Sequence, residues 1–209
     1  MVIDSLSLKV GNKDILNNLS ISFTSGNINH VLGKNGVGKS CFAKACAGFL
    51  KYTGKIDIQS NNIVVIGSYS NIPGNLKLED LLQLLYKQKN QAVNGLIDQL
   101  NILSIDKNLF ISKMSDGQKQ KIKLLYFLSL NPKTIIFDEF TSALDKTSSF
   151  DIYNFLNEYL SNPEITSINI THNLSDLEYM PGSYYIFSDN SISKIEDKEQ
   201  AIEKYIKGV

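Results

Sequence analysis

The chain of 209 residues has no arginine and no tryptophan, only two cysteines and four prolines, and no net charge at neutral pH, with 21 basic residues, all lysine, against 21 acidic ones. Without arginine there is no forked guanidinium clamp and no arginine finger, so any bound anion must be held by lysine, backbone amides or metal. Zero net charge disfavours a broad nucleic-acid or anionic-membrane surface, which needs a basic excess to release counterions or attract lipid. The two cysteines, Cys41 and Cys46, lie on different faces of a helical stretch and match no metal or redox spacing. Both are expected to be buried small hydrophobes. No apolar run approaches the roughly 18 residues that cross a bilayer. The opening Met1–Val10 alternates apolar and polar residues like a strand and lacks a basic leader. A cytoplasmic protein is expected, with any membrane role supplied through a partner.

The residues that are present, 43% apolar and 20% charged, suit a globular chain with a substantial core. Strand-like segments fill the first third, at 2–10, 19–23, 28–32, 55–58 and 62–66, separated by turn clusters such as Gly11-Asn12-Lys13. From Leu78 to about Leu130 the apolar spacing becomes helical, with faces marked by Leu81, Leu82, Leu85 and by Leu96, Ile97, Leu100. Then Thr134–Phe137 reads as a buried strand, Ser148–Leu160 as a helix and Thr166–Ile170 as another strand, a succession that implies parallel βαβ units. Strands at Tyr184–Phe187 and Ser191–Ile195 and a charged helical tail complete the chain.

Three stretches carry chemistry. Gly33-Lys34-Asn35-Gly36-Val37-Gly38-Lys39-Ser40 fits the phosphate-loop pattern G-x-x-x-x-G-K-[ST], with a strand before it and a helix beginning near Cys41. Its glycines let successive backbone N–H groups curl around the β- and γ-phosphates of a nucleotide at a helix N-terminus, where the dipole favours anions. Lys39 would neutralise phosphate charge and Ser40 would ligate Mg²⁺. Asp138 and Glu139 end an apolar strand, where ligands sit in parallel sheets. Asp138 is placed to support the Mg²⁺ shell and Glu139 to polarise an attacking water. Finally, Met114-Ser115-Asp116-Gly117-Gln118 opens a helix with Ser115 and Gln118 in capping-box positions. Its free amides form a second anion site whose natural target is the nucleotide of another subunit.

On these residues the chain resembles the nucleotide-binding subunit of an ATP-binding cassette (ABC) transporter. Gly33–Ser40 is similar to the Walker A loop, Met114–Gln118 to the signature sequence, Ile135–Glu139 to Walker B, Ser142–Asp145 to the D-loop, and His172 to the switch histidine. The resemblance implies an α/β P-loop NTPase with a RecA-like core, an N-terminal antiparallel β-portion and an inserted helical subdomain. It is a single domain, with 1–75 and 131–209 forming the core lobe and 76–130 the helical lobe. It further implies ATP and Mg²⁺ as cofactors, nucleotide contacts from Gly33–Cys41, Val10, Ser115, Gly117 and Gln118, and Glu139 as general base, with His172 hydrogen-bonding the γ-phosphate. Partners would be a second ABC ATPase subunit, as homodimer or heterodimer, and a polytopic membrane subunit docked near Ile72–Lys89. No nucleic acid is expected. The small size resembles exporter ATPases for peptides, antibiotics or haem.

Three positions depart from the family pattern. Asp116 stands where glycine is usual. Val10 replaces the aromatic that stacks on adenine. The glutamine expected after the strand 62–66 is absent, leaving Asn71 as the nearest substitute metal contact. The competing readings are a non-transport ABC-type ATPase acting on ribosomes or DNA, disfavoured by the single cassette and neutral charge, and a small P-loop kinase, disfavoured by Ser115–Gln118 and His172.

Overall fold

The structure is a computed structural model that describes residues 1–57, 62–68, 70–87, 92–142, 144 and 146–208, with side chains omitted at 146–148. Expectations at Ile58, Lys89, Ala143 and Asp145 lie outside the described residues.

Val10 pairs with Lys13 across the turn at Gly11-Asn12, so β1 (Val2–Val10) and β2 (Lys13–Ser22) form a long hairpin, and β4 (Thr53–Asp57) pairs on the other side of β1. All three strands are antiparallel. β2 starts well before the expected 19–23 because its polar Asn17-Asn18 break the alternation where the hairpin register shifts, with Asn18 at φ 51°. An extended hairpin absorbs such a bulge that a pattern count does not.

The second sheet has six strands in the order β5 (Ile63–Gly67), β6 (Thr134–Asp138), β7 (Thr166–Ile170), β3 (Ile28–Leu32), β8 (Gly182–Ser188), β9 (Ser191–Ile195). Pairing is parallel from β5 through β8 and antiparallel at β9. β3, β6 and β7 are buried along their whole length, which is why they read as continuous apolar or mixed runs rather than alternating ones. α1 (Lys39–Cys46) packs its Phe42, Ala43 and Ala45 between the two sheets, in one core with Leu6, Leu16, Val31 and Ile136.

A second core joins the other face of the six-stranded sheet to α2 (Leu78–Lys87), α3 (Ala92–Gln99), α4 (Asp116–Leu128) and α5 (Lys146–Leu160). Leu78, Leu81, Leu82 and Leu85 bury one stripe of α2, as their spacing predicts. α6 (Leu174–Tyr179) was not legible as a helix in the apolar pattern, being only six residues, and α7 (Lys198–Lys207) closes the chain against Leu32, Tyr184 and Ile186. Among the described residues, no helix is long and apolar enough to cross a membrane.

The interior of the sheet also holds polar groups. His30 and Asn169 are neighbours across the β3–β7 ladder. His30 Nε2 lies 2.7 Å from the Met180 carbonyl and must donate to it, so Nδ1 is the lone-pair nitrogen that accepts from Asn169 Nδ2 at 3.2 Å. Burial lowers the His30 pKa, against the smaller opposing effects of the Met180 hydrogen bond and the Asp176 charge. A depressed histidine contributes stability that is complete above its unfolded pKa and lost as pH falls through the folded one. The melting temperature should therefore drop as pH falls below about 6.5. His30→Gln, which cannot titrate, should flatten that window in thermal melts; an unchanged slope would contradict the assignment.

Candidate functional site

The turn from β3 into α1 builds the site. Gly36 at φ 79° and Gly38 at φ 121° carry the loop through conformations that a side chain resists. A Cβ on Gly38 would also collide with Ile15 Cγ2 from β2. α1 begins with Gly38 as N-cap, with no side-chain cap and no acidic residue in its first turn. Its amides are thus left open to an external anion. Inside the loop, Lys39 is only 5% exposed, and its Nζ donates to the carbonyls of Gly33 at 2.7 Å and Lys34 at 3.1 Å. Burial lowers the Lys39 pKa, opposed by the charges of Glu139 and Asp138.

One cavity of about 480 Å³ opens in front of this loop, lined by Val10, Lys13, Ile15, Asn35, Gly36, Gly38, Lys39, Ser40, Cys41 and Glu139. Eight of these were expected from the sequence; Lys13 and Ile15 were missed. Lys13 Nζ donates to the Gly36 carbonyl at 2.7 Å, tying the hairpin to the loop. The signal that could have found it is the hairpin itself, since pairing of Val10 with Lys13 places both at the same edge. Cys41, expected both as a nucleotide contact and as a buried small hydrophobe, is partly exposed and lines the cavity, so the burial reading is corrected, whereas Cys46 is buried with its thiol pKa pushed up by burial. Five positions along a helix turn the two onto different faces, only one of which meets the core.

Gly33, Lys34 and Val37 line a smaller cavity of about 170 Å³ on the other side of the loop, against Phe187 and the end of α7. Asp138 ends β6 and is 4% exposed. Glu139 follows with φ 54°, a left-handed conformation for a residue with a side chain, and its N–H donates to the Ile170 carbonyl at 2.9 Å. Its Oε1 lies 3.2 Å from His172 Nδ1, a close approach without hydrogen-bond geometry. Asn71 is exposed and does not line the cavity.

Ser115, Gly117 and Gln118 are likewise outside the cavity. They open α4, where Ser115 Oγ accepts from Gln118 N at 3.2 Å and Gln118 Oε1 accepts from Ser115 N at 3.0 Å. That capping box consumes the N3 amide and leaves those of the exposed Asp116 and the buried Gly117 without a partner inside the helix. The Asp116 carboxylate forms an exposed ion pair with Lys119 at 3.4 Å.

For Mg²⁺, the donors present are the Ser40 hydroxyl and the Asp138 carboxylate. Both are hard oxygens of the kind Mg²⁺ takes, and it commonly uses one or two protein ligands plus phosphates and water. Among the described residues no cluster of three or more His, Cys, Asp or Glu could hold a metal by itself. The donor set fits a metal that arrives with phosphate.

A phosphate loop on a switch-point sheet, facing the Asp138-Glu139 strand end, defines a P-loop nucleotide-binding protein. The family model for ABC transporters matches residues 16–142. At 43% identity, covering 99% of both chains, the protein is similar to "Probable peptide export ATP-binding protein YydI" of Bacillus subtilis (strain 168). At 32% identity, over 90% of this chain and 78% of the relative, it is similar to "Zinc import ATP-binding protein ZnuC" of Wolbachia sp. subsp. Brugia malayi (strain TRS). Its fold matches a solved bacterial Atm1-family ABC exporter with ATP bound, with TM-score 0.81 and 19% identity over 99% of this chain and 41% of that one. The chain belongs to the ABC transporter family, as an ATP-binding subunit.

Gly38→Ala should lower stability by about 1–3 kcal/mol through backbone strain and overpacking and weaken nucleotide binding. Gly95→Ala, in open space on α3, should leave binding unchanged and raise stability by about 0.5–1 kcal/mol. Paired denaturant melts and nucleotide titrations check both.

Proposed function

We propose that this chain hydrolyses Mg²⁺-ATP as one half of a head-to-tail dimer and drives export of a peptide or similar compound through a separate polytopic membrane subunit, standing on the inner face of the cell membrane. The observation that carries the chemistry is the Lys39 ammonium and the uncapped start of α1 lining one cavity with Glu139. Export is supported by the nearly full-length likeness to a probable peptide exporter's ATPase at 43% identity; the zinc-import relative is more distant.

Lys39 and the α1 amides bind the phosphates. Val10 and Ile15 give the base an apolar contact in place of stacking. Ser40 and Asp138 would hold Mg²⁺, which neutralises charge on the phosphate oxygens when bound, with Asn71, in the loop after β5, as the substitute for the missing glutamine. Glu139 takes a proton from the attacking water at a carboxylate oxygen, and His172 hydrogen-bonds the γ-phosphate. The open amides of Asp116 and Gly117 suit the γ-phosphate bound by a second copy, completing a site that one copy leaves exposed on one side. Exposed Leu84 and Tyr86 on α2, beside its buried stripe, fit a membrane subunit's coupling element.

Glu139→Gln tests the reading. Hydrolysis should fall by about 100-fold or more, within the range removal of a general base costs, while ATP affinity persists. Turnover at the wild-type rate would remove Glu139 as the base.

A further inference from the structure

Asp176 sits in the first turn of α6 with no exposed surface, away from the cavity. A buried carboxylate is expensive unless donors surround it, and here four side chains do so. Thr141 Oγ1 lies 2.7 Å from Oδ1 and 2.9 Å from Oδ2, and Tyr153 OH donates to Oδ1 at 2.8 Å. Asn169 Nδ2 donates to Oδ2 at 3.0 Å and Asn173 Nδ2 to Oδ1 at 3.3 Å. Burial, and then the Asp176 charge, raise the Tyr153 pKa, which keeps its hydroxyl a donor.

The origin of these donors gives the cluster its meaning. Thr141 lies two residues beyond Glu139, in the turn after β6. Asn173 is next to His172, in the turn after β7, and its own Oδ1 caps α6 by accepting from Ser175 N at 3.1 Å. One buried anion therefore joins the two loops whose tips carry Glu139 and His172. Between those tips the 3.2 Å approach lacks hydrogen-bond geometry, and below them a single backbone bond, from Glu139 N to the Ile170 carbonyl at 2.9 Å, joins the strand ends. Glu139 also needs support from outside, because a left-handed side-chain residue persists only where its surroundings over-determine it. Immediately after it, Phe140 is buried in the core and Thr141 is bonded to Asp176.

We propose that Asp176 is a positioning residue for ATP hydrolysis: by binding Thr141 and Asn173 together it sets the separation of Glu139 and His172 before nucleotide arrives. The proposal rests on the assignment of Glu139 as base. It adds a residue outside the motifs and makes the Asp176 clamp the side-chain link that, with the Glu139 N–Ile170 backbone bond, sets their geometry.

Thr141→Val keeps the shape but cuts the link on the Glu139 side, and Asp176→Asn replaces an acceptor by a partial donor. Each should lower kcat on the order of 10- to 100-fold, the scale of a small misplacement of a catalytic group, with ATP affinity within about twofold of wild type. In the Glu139→Gln background, Thr141→Val should add no further loss, because the group it positions is gone. Ile192→Ala, a cavity in β9 at the far edge of the sheet, serves as a destabilised control with kcat near wild type at temperatures below its melting point. If Asp176→Asn fails to fold, Thr141→Val carries the test. Wild-type kcat in Thr141→Val, weakened ATP binding with unchanged kcat, or losses that multiply with Glu139→Gln would overturn the proposal. Glu139→Gln assayed alone separates the two failures: if it turns over normally the base assignment falls, whereas if it is inactive and Thr141→Val is normal only the clamp falls.

Discussion

Lys39 carries a positive charge into a largely buried position at the wall of the cavity, and much of the molecule is arranged around that fact. An unpartnered buried ammonium would cost several kcal/mol. The phosphate loop meets part of that cost by turning the carbonyls of Gly33 and Lys34 onto Nζ. The same loop lines the cavity with Asn35, Gly36 and Gly38 and leads into the uncapped start of α1, so one conformation both seats the lysine and presents an anion site. The left-handed turns at Gly36 and Gly38 follow from that requirement, as does the close packing of Ile15 against the loop.

The six-stranded sheet then decides what faces the loop. β3 lies between β7 and β8, with β6 beyond β7, so the C-terminal ends of β3, β6 and β7 open onto one region. Asp138, Glu139 and His172 reach it from strands far apart in sequence. α4 adds a second tie: Gln120 Nε2 donates to the Phe140 carbonyl at 3.2 Å and Lys123 Nζ to the Gly67 carbonyl at 3.1 Å. The helix that begins with Ser115–Gln118 is thus bonded to the ends of β5 and β6, at Phe140 one residue beyond Glu139. In a chain without arginine these joints are made by lysine and amide side chains, one hydrogen bond at a time.

Much of this order was legible before any coordinates. Thr134–Phe137 reads as a buried strand because its apolar run has no polar face, and Thr166–Ile170 reads as a strand; they are β6 and β7, the polar Ser167 and Asn169 of β7 being buried as well. The helix start at Ser115 was legible because a capping box is local chemistry. What escaped was non-local or locally irregular. β2 hid behind the bulge at Asn18, and Cys41 is only partly buried because of which side of α1 the sheets cover. Lys13 is adjacent to the phosphate loop only once the hairpin forms. Asp176 belongs to no motif and to no helix legible in the apolar pattern; its importance comes from Thr141, Tyr153 and Asn169 arriving from three other elements, which no spacing rule encodes.

The account stands on Lys39 as the buried charge that makes the loop a phosphate site. Equilibrium titration of a fluorescent ATP analogue into the wild-type chain and Lys39→Ala, with circular dichroism confirming that both are folded, tests this most directly. Losing a charge-assisted contact of about 1.5–3 kcal/mol should weaken binding about 10- to 100-fold. Equal affinity in a folded Lys39→Ala chain would contradict it.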